Sequence, residues 1–197
     1  MKRIPIAGVV LAAGDSTRMG KPKALLPLGE SSFITVVLEN MDLAGFEPLV
    51  VVLGTDYLAI KKKLPSLPTL SSIQNPFPEK GQLSSLQLAI KKLPMSSAGC
   101  LVALVDHPLV SSPTYKIMFT AALNSPDCIV IPAFKGQRGH PVYFGRCFFE
   151  ELLATPLDAG ARQVVRNHAQ SVIELPVDDP GILKDIDTPE IYRDHIG

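Results

Sequence analysis

Between Leu11 and Lys23 three small residues, Ala12-Ala13-Gly14, stand directly ahead of Ser16, Thr17, Arg18, Gly20, Lys21 and Lys23. Small residues at the end of an apolar, β-branched run (Ile6–Leu11) let backbone N–H groups come close to a ligand. The hydroxyls and cations behind them suit an anion with several phosphates, so the stretch is read as the holder of a nucleoside triphosphate. The bland alternative is a glycine-containing turn followed by a solvated basic loop. Two familiar phosphate loops are excluded. A P-loop needs Lys-Ser or Lys-Thr directly after its second glycine, but Gly14 and Gly20 are too far apart and Gly20-Lys21 runs into Pro22. The dinucleotide fingerprint G-x-G-x-x-G is also missing.

Further along, Asp106 follows the apolar run Cys100–Val105 in Leu104-Val105-Asp106-His107-Pro108. A carboxylate at the end of a buried strand can hold Mg²⁺, a hard cation that prefers oxygen and bridges to phosphates. Aspartate also commonly opens turns, so Asp-x-Pro alone is a weak signal. In Asp185-Ile186-Asp187-Thr188-Pro189, Asp187 or Thr188 can cap a last helix with Pro189 in its first turn. Ser84 and Ser85 in Gly81-Gln82-Leu83-Ser84-Ser85-Leu86 stand at a helix start, where their hydroxyls and the first-turn N–H groups can bond a base or sugar; the alternative is helix capping alone. Asn75 is either a partner for a base or ribose or an Asx turn before Pro76, and His140 lies in Gly139-His140-Pro141. His107, His168 and His195 carry no usable pattern, and Asp178-Asp179 reads as a solvated turn. No G-x-S-x-G or H-E-x-x-H occurs, so hydrolase triads and zinc catalysis get no support.

Leu11–Lys23 fits L-A-[AG]-G-x-S-x-R-[ML]-G-x-x-K, the signature of the MobA-like nucleotidyltransferases, at every specified position. The later elements resemble that family's Gly-x-x-Ser-Ser-Leu, Asp-x-Pro, Gly-His-Pro and Asp-[IL]-Asp-Thr-Pro, in family order from Leu11 through Pro189. The resemblance implies nucleotide contacts from Leu11, Ala12, Ala13, Gly14, Ser16, Arg18, Lys23, Asn75, Gly81, Ser84 and Ser85. It implies Arg18, Lys23 and Asp106 as the catalytic set, metal ligation by Asp106 and Asp187, and His140 beside the acceptor. The metal implied is Mg²⁺, or Mn²⁺ in its place. Ala13 points to the molybdenum cofactor cytidylyltransferase branch, with CTP as donor and molybdopterin as acceptor. The guanylyl branch usually has Leu-Ala-Gly-Gly, and a methyl group at Ala13 narrows the space beside the base toward a pyrimidine. His107 stands where the family more often has Gln or Met. The alternatives are another phosphorylated acceptor, guanylyl transfer, or a non-catalytic nucleotide-binding maturation factor. A molybdenum hydroxylase client is implied by resemblance alone.

Composition is compatible with a small anionic ligand. Lys+Arg and Asp+Glu are equal at 19 each, so no overall field points to nucleic acid or an anionic membrane. No apolar run approaches the roughly 20 residues needed to span a bilayer. Met1-Lys2-Arg3 before Ile6–Ala13 imitates a signal peptide, but cleavage there would remove the first strand with the phosphate loop. Cys100, Cys128 and Cys147 form neither an even disulfide set nor a metal spacing, and are expected as small, partly buried, reduced side chains. The expected location is cytoplasmic.

The elements that must position these residues alternate between strand-like and helix-like. Strands are expected at Ile6–Leu11, Pro48–Leu53, Ser71–Gln74, Cys100–Val105, Cys128–Pro132, Pro141–Phe144 and Val172–Pro176. Helices are expected from Ser31-Ser32 to Ala44, over Tyr57–Leu64, over Leu83–Leu93, from an N-cap at Ser112 to Leu123, near Cys147–Leu153 and Ala161–His168, and from Thr188. Residues 1–197 read as one α/β domain: a Rossmann-like three-layer sandwich whose mainly parallel sheet gains an antiparallel strand in the C-terminal third. In such sheets ligands sit beyond the carboxyl ends of the strands, near a switch in strand order.

Overall fold

Six consecutive buried residues form β1 (Ala7–Ala12), the strand from which the rest of the sheet is laid out. The computed structural model describes residues 4–14 and 21–196. On one side of β1 lies β4 (Leu49–Leu53), followed by the edge strand β5 (Leu70–Gln74), both parallel to it. On the other side lies β6 (Gly99–Leu104), also parallel. Every residue of β4 and β6 is buried, as expected for strands covered on both faces. The chain thus leaves β1 in one direction, then returns to β6 on its other side, which puts the switch point between β1 and β6.

Beyond β6 the order continues through β9 (Val142–Gly145) and β7 (Ile129–Phe134) to β10 (Val172–Pro176). The inserted β9 runs antiparallel to both of its neighbours, whereas β10 is parallel to β7. A two-residue strand, β8 (Gln137–Arg138), turns back on β7. The expected antiparallel addition in the C-terminal third is therefore β9 with β8.

Alternate strand residues face two separate apolar layers. Val10, Val51, Leu101 and Tyr143 meet α1 (Phe33–Ala44) and α4 (Ser112–Asn124) through Phe33, Leu38, Tyr115 and Met118. Val9, Val52, Val102 and Phe144 meet α3 (Gln82–Ile90), α5 (Phe149–Ala154) and α6 (Arg162–Asn167) on the other side. A short α2 (Tyr57–Lys61) follows β4, and α7 (Pro189–His195) ends the described chain. Fully burying one such aliphatic or aromatic side chain contributes roughly 1.5–3 kcal/mol.

Some boundaries differ from expectation. Pro27–Leu28 and Ser31–Ser32 pair as a small hairpin, β2 and β3, ahead of α1. Two-residue strands carry no hydrophobic period, which is why the pattern gave no sign of them. The N-cap of α4 is Ser111 rather than Ser112, with Pro113 still in the first turn. The helix expected near Cys147 divides into a 3₁₀ turn, Arg146–Phe148, and α5. Cys100 is fully buried, and burial pushes its thiol up to about 12. Cys147 is exposed rather than partly buried.

The largest local correction concerns Asp179, expected in a solvated turn but only 6% exposed. Its carboxylate accepts hydrogen bonds from Ser111 N–H (2.9 Å), Ser111 Oγ (2.8 Å), Thr114 Oγ1 (2.6 Å) and Gly181 N–H (2.8 Å). Burial alone would raise its proton affinity, but these donors outweigh it and hold the carboxyl below its ordinary range. Asp179 thereby fastens the segment leading toward Asp187 to the start of α4. Asp179→Ala leaves these donors unsatisfied. We expect urea denaturation to show a loss of about 2–4 kcal/mol. A loss below about 0.5 kcal/mol, the range of ordinary surface changes, contradicts the anchoring role.

Candidate active site

The carboxyl ends of β1 and β6 lie side by side, with Leu11 opposite Leu104 and Val105 N–H donating to Leu11 O (3.1 Å). This pairing brings Ala12-Ala13-Gly14 beside Asp106. A cleft of about 170 Å³ opens there, walled by the β1 end, Lys23, Gly81, Ser85 and Asp106. Gly54, at the end of β4, completes the wall, and a Cβ at that position would stand 2.3 Å from Ala13 O. Only glycine permits this approach.

Lys23 opens a 3₁₀ turn, Lys23–Leu25, pinned to the core by Ala24 and Leu26 at 2% and 6% exposure. Its Nζ reaches between two carboxylates, 3.9 Å from Asp106 Oδ2 and in direct contact with Asp187 Oδ1. Residue 187 is 164 positions away in sequence, and two anchors bring it here. Ile186 is fully buried, and its N–H donates to Asp106 O at 2.7 Å. Thr188 caps α7, its Oγ1 accepting from Ile191 N–H (3.3 Å). With Thr188 as the cap, the Asp187 carboxylate is turned toward Lys23.

Burial pushes the Asp106 carboxyl upward, and the nearby Asp187 charge adds to that, against the pull of His107 and Lys23. Two hard carboxylates sharing one ammonium, one of them poorly solvated, are a donor set that fits a divalent cation such as Mg²⁺ or Mn²⁺. The described residues contain no group of three or more His, Cys, Asp or Glu able to hold a metal. The remaining ligands in such a site would be phosphate oxygens and water, as is usual for Mg²⁺.

Asn75 and Ser84 are not on the cleft wall; they are buried behind it. Asn75 Nδ2 donates to Ser84 Oγ and Ser85 Oγ, both at 2.9 Å, while Phe77 N–H donates to Asn75 Oδ1 at 2.9 Å. Ser84 Oγ donates onward to Gly81 O (2.7 Å). Asn75 therefore makes the Asx turn and also ties the β5 end to the first turn of α3, fixing Gly81 and Ser85 at the cleft. Neither serine supplies a side-chain cap to α3.

His140 lies apart, on the wall of a second cavity of about 610 Å³. Its backbone N–H donates to Ile182 O (3.0 Å), and Gly139 lets the 3₁₀ turn Pro180–Leu183 come close, since a Cβ there would stand 2.3 Å from Ile182 O. The His140 and His107 rings are 5.0 Å apart, although His107 carried no readable pattern. The expected contributors Ser16 and Arg18 lie outside the described residues. Thr55, Asp56, Pro22 and Gln82 also line the cleft without having been singled out. For Thr55 and Asp56 the available signal was their place directly after β4, the neighbour of β1.

The family described as MobA-like NTP transferase domain matches residues 8–172, and the chain belongs to it. It is a nucleotidyltransferase of that family. Over nearly its full length it is similar to the purine catabolism protein PucB of Bacillus subtilis (29% identity; 95% of this chain, 94% of PucB). Nicotine blue oxidoreductase of Paenarthrobacter nicotinovorans is likewise 29% identical, covering 95% of each chain. The molybdenum cofactor cytidylyltransferase of Escherichia coli is 22% identical, over 93% of this chain and 92% of its own. Among solved structures, Rv0371c from Mycobacterium tuberculosis superposes with a TM-score of 0.85 at 30% identity, covering 100% of this chain and 99% of its own. A second crystal structure of Rv0371c is a complex with manganese.

The second cavity generates a pH prediction. Burial, followed by the charges of His107 and Arg162, pushes the His140 imidazole down to about 4. Folded His140 thus stays neutral where the unfolded chain, near the ordinary value of about 6.5, takes up a proton. Its contribution to stability is present above about pH 6.5 and is lost as pH falls toward 4. Between about pH 7 and 4.5 urea denaturation should show about 2 kcal/mol of lost stability from this group. His140→Asn should remove that part of the slope; an unchanged slope contradicts the buried neutral imidazole.

Proposed function

We propose that this nucleotidyltransferase takes CMP from CTP and joins it to the phosphate of molybdopterin, releasing pyrophosphate. The observation that carries the reading is Lys23 lodged between Asp106 and Asp187 at the mouth of a cleft rimmed by Ala12-Ala13-Gly14. Charge neutralisation and in-line placement are what a phosphoryl centre needs from a protein. A phosphate monoester acceptor, with a second pKa of about 6, is already largely dianionic near neutral pH. It needs no general base. One of its oxygens bonds to the α-phosphorus as the α–β bridging bond breaks, and pyrophosphate carries away the bond's electron pair.

In this reading the N–H groups around Ala13 and Gly14 cradle the β- and γ-phosphates, and Arg18 and Ser16 complete the loop. Lys23 leaves the carboxylates to meet phosphate charge. Asp106 and Asp187 would hold Mg²⁺, or Mn²⁺, which supplies Lewis-acid stabilisation of the phosphate oxygens when bound. Asn75 and Ser84 act as positioning residues for Gly81 and Ser85 beside the nucleotide, and His140 faces the acceptor. The manganese complex of Rv0371c and the cytidylyltransferase of E. coli support the metal and the reaction class. Ala13 supports CTP over GTP. We place the reaction in the cytoplasm, with a molybdenum hydroxylase as client; no described helix is long and apolar enough to cross a membrane. A second reading keeps the same site and takes another phosphorylated acceptor, since neither PucB nor nicotine blue oxidoreductase is named for molybdopterin.

Pyrophosphate release is the direct test. Protein, Mg²⁺, CTP and molybdopterin should release it faster than the same mixture with GTP. Release with other phosphomonoesters but none with molybdopterin moves the acceptor to the second reading. Lys23→Ala should lower turnover by about 10²-fold or more, the loss typical of one transition-state donor. Near-normal turnover contradicts the role given to Lys23. Asp106→Asn should abolish release or shift its Mg²⁺ dependence to far higher concentration; an unchanged metal titration places the metal elsewhere.

A further inference from the structure

The two chain segments that meet at the Lys23–Asp187 contact meet a second time. Four residues after Lys23 stands Pro27, in β2, and five residues after Asp187 stands Tyr192, in α7. The Tyr192 hydroxyl donates to Pro27 O at 3.0 Å. The same two stretches are therefore tied once by charge and once by a neutral hydrogen bond. The Tyr192 ring also lies against Phe33, the fully buried first residue of α1, with centroids 6.0 Å and planes 35° apart.

These contacts matter because α7 is lightly held. None of its residues is fully buried, and Ile191 and Tyr192, with Ile196 just beyond, only flank the α1 layer. The Arg193–Glu190 pair (3.3 Å) and the Thr188 cap are internal to the helix. Ile186, through its N–H bond to Asp106 O, fixes the chain on one side of Asp187. On the other side, the direction of the carboxylate follows where α7 lies. A seven-residue helix does not persist alone in water, so an undocked α7 also loses its shape.

In the function proposed above, Lys23 gives up the carboxylates for phosphate, which removes the ionic tie just when a metal needs Asp187. The Tyr192–Pro27 bond uses no group that this exchange consumes. Resting on that reading, we infer that Tyr192 is a positioning residue, keeping α7 docked on β2 and so holding the Asp187 carboxylate at the metal after Lys23 has left. Its hydroxyl acts through Asp187. The bond is exposed, so its loss leaves the core intact. The expected effect is that of one ordinary hydrogen bond, roughly 2- to 12-fold in an equilibrium.

The experiment measures CTP binding by calorimetry, with and without Mg²⁺, in wild type, Tyr192→Phe, Asp187→Asn and the double variant. Tyr192→Phe keeps the ring against Phe33 and removes the hydroxyl alone. It should weaken CTP binding at least about threefold with Mg²⁺ present and leave binding without Mg²⁺ unchanged. Added to Asp187→Asn it should have no further effect, because it acts through that carboxylate. Unchanged binding, equal weakening with and without Mg²⁺, or an additive loss in the double variant each overturns the inference. Wild-type binding that ignores Mg²⁺ is a separate result, and it overturns the metal site itself. Hydrogen exchange of the nucleotide-free protein checks the docking without any ligand. The Ile191 and Tyr192 N–H groups, both held by Thr188, should exchange at least about threefold faster in Tyr192→Phe, with the β1 and β6 amides unchanged. Equal exchange at Ile191 and Tyr192 removes the clasp.

Discussion

The contact on which the site depends is the ion cluster of Lys23, Asp106 and Asp187, assembled where three distant parts of the chain converge. Each member is held by something else. Ala24 and Leu26 seat the turn that carries Lys23. Asp106 stands two residues beyond the end of β6, and the Ile186 N–H to Asp106 O hydrogen bond clips the Asp187 segment onto it. At 17%, 23% and 36% side-chain exposure, the three charges are partly withdrawn from water, more so for Lys23 and Asp106. Coulombic attraction is stronger there than at a free surface, and so is the demand of two carboxylates for positive charge. That demand is met by Lys23 here, and a divalent ion could meet it with the lysine displaced toward phosphate.

The sheet explains why the cluster lies where it does. Strand order reverses between β1 and β6, so the loops leaving their carboxyl ends diverge and open a cleft. The inserted β9 then widens the sheet on the β6 side and supplies floor residues for a second, larger cavity. The two cavities share a wall of Leu11, Gln82 and Leu104. The Asp179 hydrogen bonds and the close approach of Gly139 to Ile182 fasten the C-terminal segment against α4 and the connection between β8 and β9.

Much of this was legible in the residues. Continuous apolar runs marked β1, β4 and β6, because strands covered on both faces need no alternation. The small residues after β1 and the aspartate after β6 marked the cleft, because strand ends are where such folds place ligands. What could not be read were consequences of long-range packing. Asp178-Asp179 looks like a solvated turn in one dimension, and nothing local shows that Ser111 and Thr114 arrive to bury Asp179. Asn75 read as either a ligand contact or an Asx turn. It makes that turn through Oδ1 while its amide nitrogen braces Ser84 and Ser85, a pairing that only the neighbouring helix creates. His107 had no motif because its partner, His140, lies 33 residues away on another strand connection. Tyr192 was silent for the same reason, since a tyrosine on a short helix is ordinary until Pro27 is found beside its hydroxyl.

The measurement that tests the central claim most directly is calorimetric titration of the protein with CTP, with and without Mg²⁺, in wild type and Asp187→Asn. If the two carboxylates exchange Lys23 for a metal–triphosphate pair, CTP binds tightly only with Mg²⁺, and Asp187→Asn weakens that binding at least tenfold. CTP binding of equal strength with and without Mg²⁺, indifferent to Asp187, would contradict the exchange and leave the ion cluster a structural clasp alone.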